Sequence, residues 1–276
     1  MCGINGIISK EKDKDKLIKE MNKRIVHRGP DAEGIYIDDN VALGQRRLSI
    51  IDLEGGNQPI YNKDKSILIV YNGEVYNYKE LKEELTEYEF QTNSDTEVIL
   101  HGYEKWGKEL PKKLRGMFAY AIYDKNKNEI FISRDHFGIK PLYYYQNKDV
   151  ILFGSEIKSF LAHPKFKKEL NKELIGPYLT FSFTPTDETF FKDVYRLPGG
   201  HSMTINVKTK KKQYIVMGII ISLLIGVIIY LIPYENYINR YKNIYAYSPF
   251  ILLVLSVIIV SFVFICGKIK IKSKNI

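Results

Sequence analysis

The sequence predicts an α+β fold in which antiparallel β-sheets are covered by helices, followed by a transmembrane helical hairpin. Three observations support this prediction. Short segments rich in apolar and β-branched residues recur through residues 1–206, and turn residues separate them, as expected for antiparallel strands. Only a few segments have the apolar spacing of an amphipathic helix. Two long apolar segments without any charge lie near the carboxyl end.

Strand signals begin at the amino terminus. Residues 2–8 are apolar and punctuated by glycine, which favours a buried strand with Cys2 at its exposed start. Residues 66–71 have the composition of an interior strand that ends at Asn72. Residues 118–123 and 129–133 flank a polar turn, and this pattern predicts a β-hairpin.

Helix signals occur between these strands. Residues 17–25 carry apolar side chains at helical spacing. Ser94 and Glu97 match a capping box, which predicts a helix that begins there and places Asp95 in its first turn. The N–H groups and the dipole of a helix favour an ionised carboxylate at that position. Asp95 is therefore expected either to present a charge or only to assist the helix cap.

Cys2 is a candidate nucleophile. Once the initiator Met1 is removed, this residue carries both a thiol and a free α-amine. An ordinary thiol has a pKa of roughly 8.5 and an α-amine one of roughly 7.7 to 8.0, so the amine can accept the thiol proton near neutral pH. The alternative is that a cysteine merely follows the start methionine. The other cysteine, Cys266, lies at the opposite end of the chain, so no disulfide framework is indicated and a reducing cytosol suits the free thiol.

Arg47 is a second candidate for a functional side chain. It lies in a strand-like segment, where an unpaired buried cation would be costly, so it is expected to pair with an anion unless it is a solvated edge arginine. Residues 27–31 form a turn-rich loop that is also explained by a plain turn. The five histidines are scattered, and the sequence therefore predicts no metal site.

The positive charge is concentrated in the tail. Residues 207–276 contain ten Lys or Arg and a single acid, Glu235, which accounts for the whole formal net charge of +9. The remaining residues are balanced in charge. The basic composition therefore gives no reason to expect nucleic-acid binding by the globular part.

The carboxyl-terminal segments predict a membrane anchor. Two uncharged segments would each extend about 25 to 27 Å as a helix, close to the roughly 30 Å hydrocarbon core of a bilayer. Lysines flank the pair on both sides, so the positive-inside rule places both termini and the catalytic domain in the cytosol. A buried hairpin in a soluble core is the alternative. The expected segments are a domain at 1–206, a basic linker at 207–214, transmembrane helices at 215–232 and 250–266, an extracytoplasmic loop at 233–249 and a basic cytosolic tail at 267–276.

Six motifs occur in order along the first 206 residues. They are residues 2–4 (CGI), 27–31 (HRGPD), 47–52 (RLSIID), 72–77 (NGEVYN), 94–97 (SDTE) and 134–142 (RDHFGIKPL). Together they resemble the amino-terminal glutaminase domain of glutamine-hydrolysing asparagine synthetases, which are class II, or N-terminal-nucleophile, glutamine amidotransferases. The resemblance implies a four-layer αββα sandwich and the hydrolysis of glutamine to glutamate and ammonia.

The resemblance also implies roles for individual residues. Cys2 would attack the side-chain amide carbon of glutamine, with its own amine as general base. Asn72 and Gly73 would donate hydrogen bonds to the oxyanion. Arg47 would hold the α-carboxylate and Asp95 the α-ammonium. The other residues expected to line the substrate are Leu48, Ser49, Ile50, Ile51 and Glu74.

After about residue 206 the sequence departs from this family. A full synthetase continues into a domain that binds ATP on a Ser-Gly-Gly-x-Asp-Ser loop, and that loop does not occur here. We therefore expect a chain truncated before the synthetase domain and without a cofactor of its own, because ATP and Mg²⁺ would need the missing domain. The expected partners are L-glutamine, the membrane and a synthetase chain in trans that receives the ammonia.

Two other functions stay open. The first is that the chain is a catalytically silent, membrane-anchored remnant that acts as a binding or scaffold module. Its site residues would then be intact but no longer used for catalysis. Sugar-phosphate or phosphoribosyl amidotransfer is less favoured, because no phosphate-binding domain follows.

Overall fold

A computed structural model describes residues 1–53 and 55–217 of the chain. Within these residues there are four α-helices and twelve β-strands, with short 3₁₀ helices between them. The helices are α1 (Lys14–Arg24), α2 (Tyr78–Glu83), α3 (Asp95–Trp106) and α4 (Ile175–Phe181). The strands are β1 (Gly3–Ile8), β2 (Ala32–Ile37), β3 (Val41–Arg47), β4 (Ile60–Tyr61), β5 (Ile67–Val75), β6 (Gly116–Asp124), β7 (Glu129–Arg134), β8 (Tyr143–Gln146), β9 (Ile151–Gly154), β10 (Val194–Arg196), β11 (His201–Asn206) and β12 (Lys212–Val216).

The strands form two six-stranded antiparallel sheets. Sheet 1 has the order β10-β8-β9-β1-β3-β2, and sheet 2 has the order β12-β11-β7-β6-β5-β4. The predicted hairpin is confirmed as β6 paired with β7. β1 pairs with β3 on one side and with β9 on the other. The first strand of the chain therefore lies near the middle of sheet 1, and Cys2 immediately precedes it.

Four layers result from the alternation of side chains along these strands. Val70 points into a core between the two sheets, whereas its neighbour Ile69 points outward to a core shared with α2 and α3. In sheet 1, Ile4 faces the core between the sheets and Ile7 packs with Met21 of α1 on the outer side. The two-sheet α+β arrangement is therefore confirmed, with helices covering both outer faces.

Sheet 2 extends further along the chain than the sequence indicated. Residues 207–214 were expected to form a basic linker and residue 215 to begin a transmembrane helix, but Lys212–Val216 pairs with β11 as an edge strand. The physical reason is alternation: Tyr214 packs against the core between the sheets and Ile215 against the outer core. The sheet therefore continues to residue 216 and does not end at residue 206.

The predicted membrane hairpin, at residues 215–232 and 250–266, lies outside the described residues except for 215–217. Among residues 1–53 and 55–217, none of the helices combines the length and the apolar character needed to cross a bilayer.

Candidate active site

A cleft at the start of β1 collects most of the predicted site residues. It encloses about 520 Å³ of empty space, part of it open to solvent. Nine of the ten residues proposed from the sequence line it, namely Cys2, Arg47, Leu48, Ile50, Ile51, Asn72, Gly73, Glu74 and Asp95. The exception is Ser49, whose backbone N–H donates to Asp31 Oδ2 at 2.8 Å. Segments separated by up to 93 positions in the sequence thus share one cavity.

Cys2 is held at the mouth of this cleft by its backbone and by its sulfur. The N–H of Leu48 donates to Cys2 Sγ at 3.3 Å, and the thiol lies 3.5 Å from the carbonyl oxygen of the same residue. Arg28 Nε donates to the carbonyl oxygen of Cys2 at 2.9 Å. Met1 still precedes it and is 56% exposed. The sulfur is therefore positioned by neighbours that leave the preceding residue accessible.

Asn72 presents an unused amide donor to the cleft. Its side chain is 1% exposed, and Asn72 Nδ2 has no hydrogen-bond partner among the described residues. A buried polar group without a partner costs about 1 to 3 kcal/mol, so it is retained where a ligand supplies the missing acceptor. A ligand group with a hydrogen-bond acceptor would satisfy this donor.

The N–H of Gly73 points to the same cleft from an open strand edge. β5 pairs with β6 along its whole length but with β4 only near its start. On the open edge, the N–H of Tyr71 donates to Gln58 Oε1 at 2.6 Å and that of Val75 to Asp95 Oδ2 at 2.9 Å. Alternate residues of an antiparallel strand direct their N–H groups to the same edge, so the N–H of Gly73 points there too.

Glycine at position 73 is explained by packing within sheet 2. A Cβ atom there would lie 2.2 Å from the carbonyl oxygen of Met117 and 2.7 Å from the Cα atom of Phe118, both in β6. This steric constraint from β6 could not be inferred from the sequence alone. Any side chain at this position would push the two strands apart and move Asn72 with them.

Arg47 ends β3 and is 4% exposed, and among residues 1–53 and 55–217 its guanidinium bonds no carboxylate. Its Nη1 and Nη2 atoms donate to four acceptors in the loop that follows, which we call the Arg47 loop (residues 48–53 and 55–57). These acceptors are Ile51 O at 3.1 Å, Asp52 O at 2.5 Å, Leu53 O at 3.1 Å and Asn57 Oδ1 at 2.9 Å. The buried cation thus holds the loop in place, and its pairing with an anion, the substrate α-carboxylate, stays a prediction.

Asp95 begins α3 and is buried between the helix and β5. Its Oδ2 accepts hydrogen bonds from the Tyr71 hydroxyl at 2.8 Å and from the N–H of Val75 at 2.9 Å. Burial raises the pKa of this carboxyl above its usual value, and the two hydrogen bonds oppose that rise without cancelling it. The direction is opposite to the expectation from the helix dipole, because desolvation outweighs it.

The predicted capping box at the start of α3 does not form. Ser94 makes no side-chain cap, and its Oγ has no partner among the described residues. Glu97, the other member of the box, accepts hydrogen bonds from the backbone N–H groups of Gln91 and Thr92 at 2.8 and 2.7 Å. The helix entry is therefore organised by Glu97 with Thr92 and Asp52, and Ser94, whose hydroxyl has no partner among the described residues, lines the cleft.

Seven further lining residues were not among the ten site residues proposed from the sequence: Met1, Gly56, Gln58, Tyr71, Ser94, Thr96 and Lys140. Lys140 is 3% exposed, and burial lowers the pKa of its ammonium. Its Nζ lies 3.1 Å from Met1 Sδ. Lys140 belongs to the sixth motif, residues 134–142, so the sequence marked this segment as part of the family pattern. Only the fold shows that the segment reaches Cys2. In the part of the chain that the structure describes, no cluster of three or more His, Cys, Asp or Glu could hold a metal ion.

Comparison with known proteins identifies a family and several relatives that this chain resembles. Residues 1–215 match the family model of the glutamine amidotransferase domain. Asparagine synthetase [glutamine-hydrolyzing] 1 of Bacillus subtilis (strain 168) is 45% identical over 212 residues, covering 74% of this chain and 33% of that protein. A putative asparagine synthetase [glutamine-hydrolyzing] 2 of Methanocaldococcus jannaschii is 42% identical over 234 residues, covering 76% of this chain and 45% of that protein. The chain thus spans less than half the length of these relatives.

Solved structures show the same fold at low sequence identity. Glutamine phosphoribosylpyrophosphate amidotransferase from B. subtilis superposes with a TM-score of 0.59 at 19% identity, covering 79% of this chain and 50% of that one. This likeness concerns the arrangement of the two sheets. Together with the family match, it shows that the chain belongs to the glutamine amidotransferase family, with a class II domain of N-terminal-nucleophile type whose homologues are glutamine-hydrolysing asparagine synthetases.

Proposed function

We propose that this chain hydrolyses L-glutamine to L-glutamate and ammonia with Cys2 as an N-terminal nucleophile. The observation that carries the proposal is the buried, unpartnered Asn72 amide in the same cleft as the Cys2 sulfur. An amide donor that is buried without an acceptor suits a reaction in which a carbonyl oxygen gains negative charge.

The nucleophile becomes complete when Met1 is removed. The freed α-amine takes the thiol proton, and the sulfur attacks the side-chain amide carbon while the C=O π electrons move to oxygen. The tetrahedral intermediate then collapses, the C–N bond breaks, and the ammonium of Cys2 returns its proton to the departing nitrogen, which leaves as ammonia. Water attacks the resulting thioester in the same way and releases L-glutamate.

The oxyanion of both intermediates is held by two donors from β5. Asn72 supplies its side-chain Nδ2–H, and Gly73 supplies its backbone N–H at the open strand edge. Both donors are fixed before substrate arrives, since β5 is paired with β6 throughout. Preorganised donors of this kind lower the barrier because they need no reorientation during the reaction.

Opposite charges at the far end of the cleft recognise the α-ammonium and α-carboxylate of glutamine. Asp95, ionised, pairs with the ammonium, and that pairing favours its charged form against the effect of burial. Arg47 contributes positive charge for the carboxylate and keeps its loop folded, so that Leu48, Ile50 and Ile51 line the substrate. Glu74 lines the side of the pocket.

The test is glutamate formation from L-glutamine by the full 276-residue chain, with the amino terminus identified by mass spectrometry. We expect Met1 to be absent and Cys2→Ala to abolish turnover. Cys2→Ser is the matched variant, because it keeps the amine and the size of the side chain but weakens the nucleophile. Retained Met1 with no turnover in the wild-type chain would favour the catalytically silent scaffold instead.

The ammonia acceptor and the location of the chain are further parts of the proposal. The curated relatives are named as synthetases, and this chain matches a third to a half of their length. We propose a synthetase chain in trans as acceptor, which would supply any ATP and Mg²⁺ site. The uncharged segments beyond residue 217 support anchoring to a membrane with the domain and both termini in the cytosol. Alkaline carbonate extraction of membranes tests the anchor, and release of the chain into the soluble fraction would contradict it.

A further inference from the structure

Ser94 carries a buried hydroxyl that the fold itself does not use. The residue is 3% exposed, lines the catalytic cleft, and has no partner for Oγ among the described residues. A serine at the start of a helix ordinarily accepts a hydrogen bond from an N–H of the first turn, which typically stabilises the helix by about 1 kcal/mol. Here that bond is absent. The position therefore keeps a polar group without its usual structural benefit.

The surroundings of Ser94 explain how the helix begins without this hydroxyl. The N–H of Ser94 donates to Thr92 Oγ1 at 3.2 Å, and Thr92 Oγ1 in turn donates to Glu97 Oε2 at 2.7 Å. Glu97 thus anchors the preceding turn through its own carboxylate. These bonds fix the backbone of Ser94 without its hydroxyl, which leaves Oγ available at a residue that lines the cleft.

Asp95 beside it cannot satisfy a substrate ammonium alone. An α-ammonium has three N–H donors. One carboxylate oxygen of Asp95, Oδ2, already accepts two hydrogen bonds, from Tyr71 and Val75. Asp95 Oδ1 remains for one of these donors, and the Ser94 hydroxyl, at a neighbouring residue that lines the same cleft and without a partner among the described residues, offers a further acceptor.

We propose that Ser94 Oγ accepts a hydrogen bond from the α-ammonium of the bound amino acid, and that Ser94 with Asp95 selects α-amino acids over amides that lack the amine. This inference rests on the proposed glutaminase function and adds a substrate-binding residue to it. Ser94 contacts the substrate far from the reacting carbon, so it acts on binding and not on the chemical step.

The experiment compares L-glutamine with glutaramate, the same amide without the α-amine, in the full-length chain. We expect Ser94→Ala to raise KM for L-glutamine about tenfold, the effect of one charge-assisted hydrogen bond, with kcat within about threefold of wild type. The Ki of glutaramate as a competitive inhibitor should change by less than about twofold. Ser94→Thr keeps the hydroxyl and should restore most of the affinity.

A matched control separates binding from folding. Ser202→Ala removes an equally buried hydroxyl, one that donates to Ser133 Oγ at 2.9 Å, far along the chain in sheet 2. We expect it to lower Tm without changing KM, whereas Ser94→Ala should leave Tm unchanged. An unchanged KM in Ser94→Ala, or an equal loss of affinity for both ligands, would overturn the inference. Absence of glutamine turnover in the wild-type chain would instead refute the proposed function.

Discussion

The two walls of the cleft are built in different ways. One wall is the edge of β5, where Asn72 and Gly73 are held by continuous pairing with β6. The other is the Arg47 loop, which has no strand pairing of its own and exposes Ile50 and Leu53 by 58% and 67%. The strand wall is fixed by sheet hydrogen bonds, whereas the loop wall is fixed by side chains, chiefly the Arg47 guanidinium and the Asp52 carboxylate. We therefore expect changes in the strand wall to alter kcat and changes in the loop wall to alter KM.

The largest effect should come from the strand wall. Asn72→Ala removes the side-chain donor to the oxyanion, and we expect kcat to fall about 100- to 1000-fold with little change in KM. Steady-state measurement of glutamate formation checks this. Because Asn72 Nδ2 has no partner among the described residues, loss of this donor should not lower Tm. A large rise in KM with kcat preserved would show that this wall binds the ground state instead.

The loop wall should respond to Arg47→Lys with the opposite signature. A lysine cannot reproduce the planar fork that bonds four acceptors, so the loop loses most of its hydrogen bonds. We expect KM to rise about 10- to 100-fold and kcat to fall less. Protease cleavage within the Arg47 loop should also become faster. Equal losses in kcat and kcat/KM would indicate that the two walls move together and that the comparison fails.

The pH dependence of KM tests the role of Asp95, which lies where α3 meets the strand wall. Burial raises the pKa of this carboxyl, so it takes up a proton at a higher pH than an ordinary aspartate as the pH falls. Protonation removes the partner of the substrate ammonium. We therefore expect KM for glutamine to rise on the acid side, starting above the usual titration range of aspartate near 3.9. A KM that stays constant down to pH 4 would contradict this.

The raised pKa of Asp95 also affects how the stability of the folded protein depends on pH. A carboxyl with a raised folded-state pKa makes the folded state bind its proton more tightly than the unfolded state does, so its contribution to stability is lost as pH rises through that pKa. Asp95→Asn should therefore cost substrate affinity but not neutral-pH stability. Thermal unfolding of both proteins between pH 4 and 8 measures the difference.

The smallest expected effect belongs to Asp52, which ties the Arg47 loop to the turn before α3. Its carboxylate accepts N–H groups of Asn93 at 2.8 Å and Gly55 at 2.9 Å, and these bonds lower its pKa. The tie is complete at neutral pH and is lost as pH falls through that lowered pKa. Asp52→Asn keeps one acceptor oxygen, so we expect KM to rise about threefold. A change in kcat would assign Asp52 to the strand wall.

Much of the fold was predictable because alternation and turn residues are local signals. The β6–β7 hairpin and the strand at Cys2 follow from residues close together in the sequence. β12 was missed because its apolar residues run directly into a longer apolar segment, which hides a period of two. The start of α3 was placed correctly from Ser94 and Glu97, but the capping bonds were not, since their partners are set by the preceding turn.

The residues of the site were predictable where they lie in recognisable sequence motifs. Their order along the chain indicated which residues share a pocket, and the structure brings all but Ser49 to the cleft. What the sequence lacked was the environment of each group. The raised pKa of Asp95 depends on its burial against Tyr71 and Val75, which lie 24 and 20 positions away. The loop acceptors of Arg47 and the Thr92–Glu97 bond beside Ser94 are close in sequence, but they depend on side-chain geometry that no motif encodes.

The central position of β1 in sheet 1 also determines when this sheet can be completed during synthesis. β1 needs β9 as a neighbour, and β9 lies about 150 positions later in the chain. At roughly 5 to 20 residues per second, a ribosome takes on the order of ten seconds to make that partner. Until then β1 can pair only with β3 and the sheet around it is incomplete, so removal of Met1 by a methionine aminopeptidase can precede completion of the sheet that will hold the nucleophile.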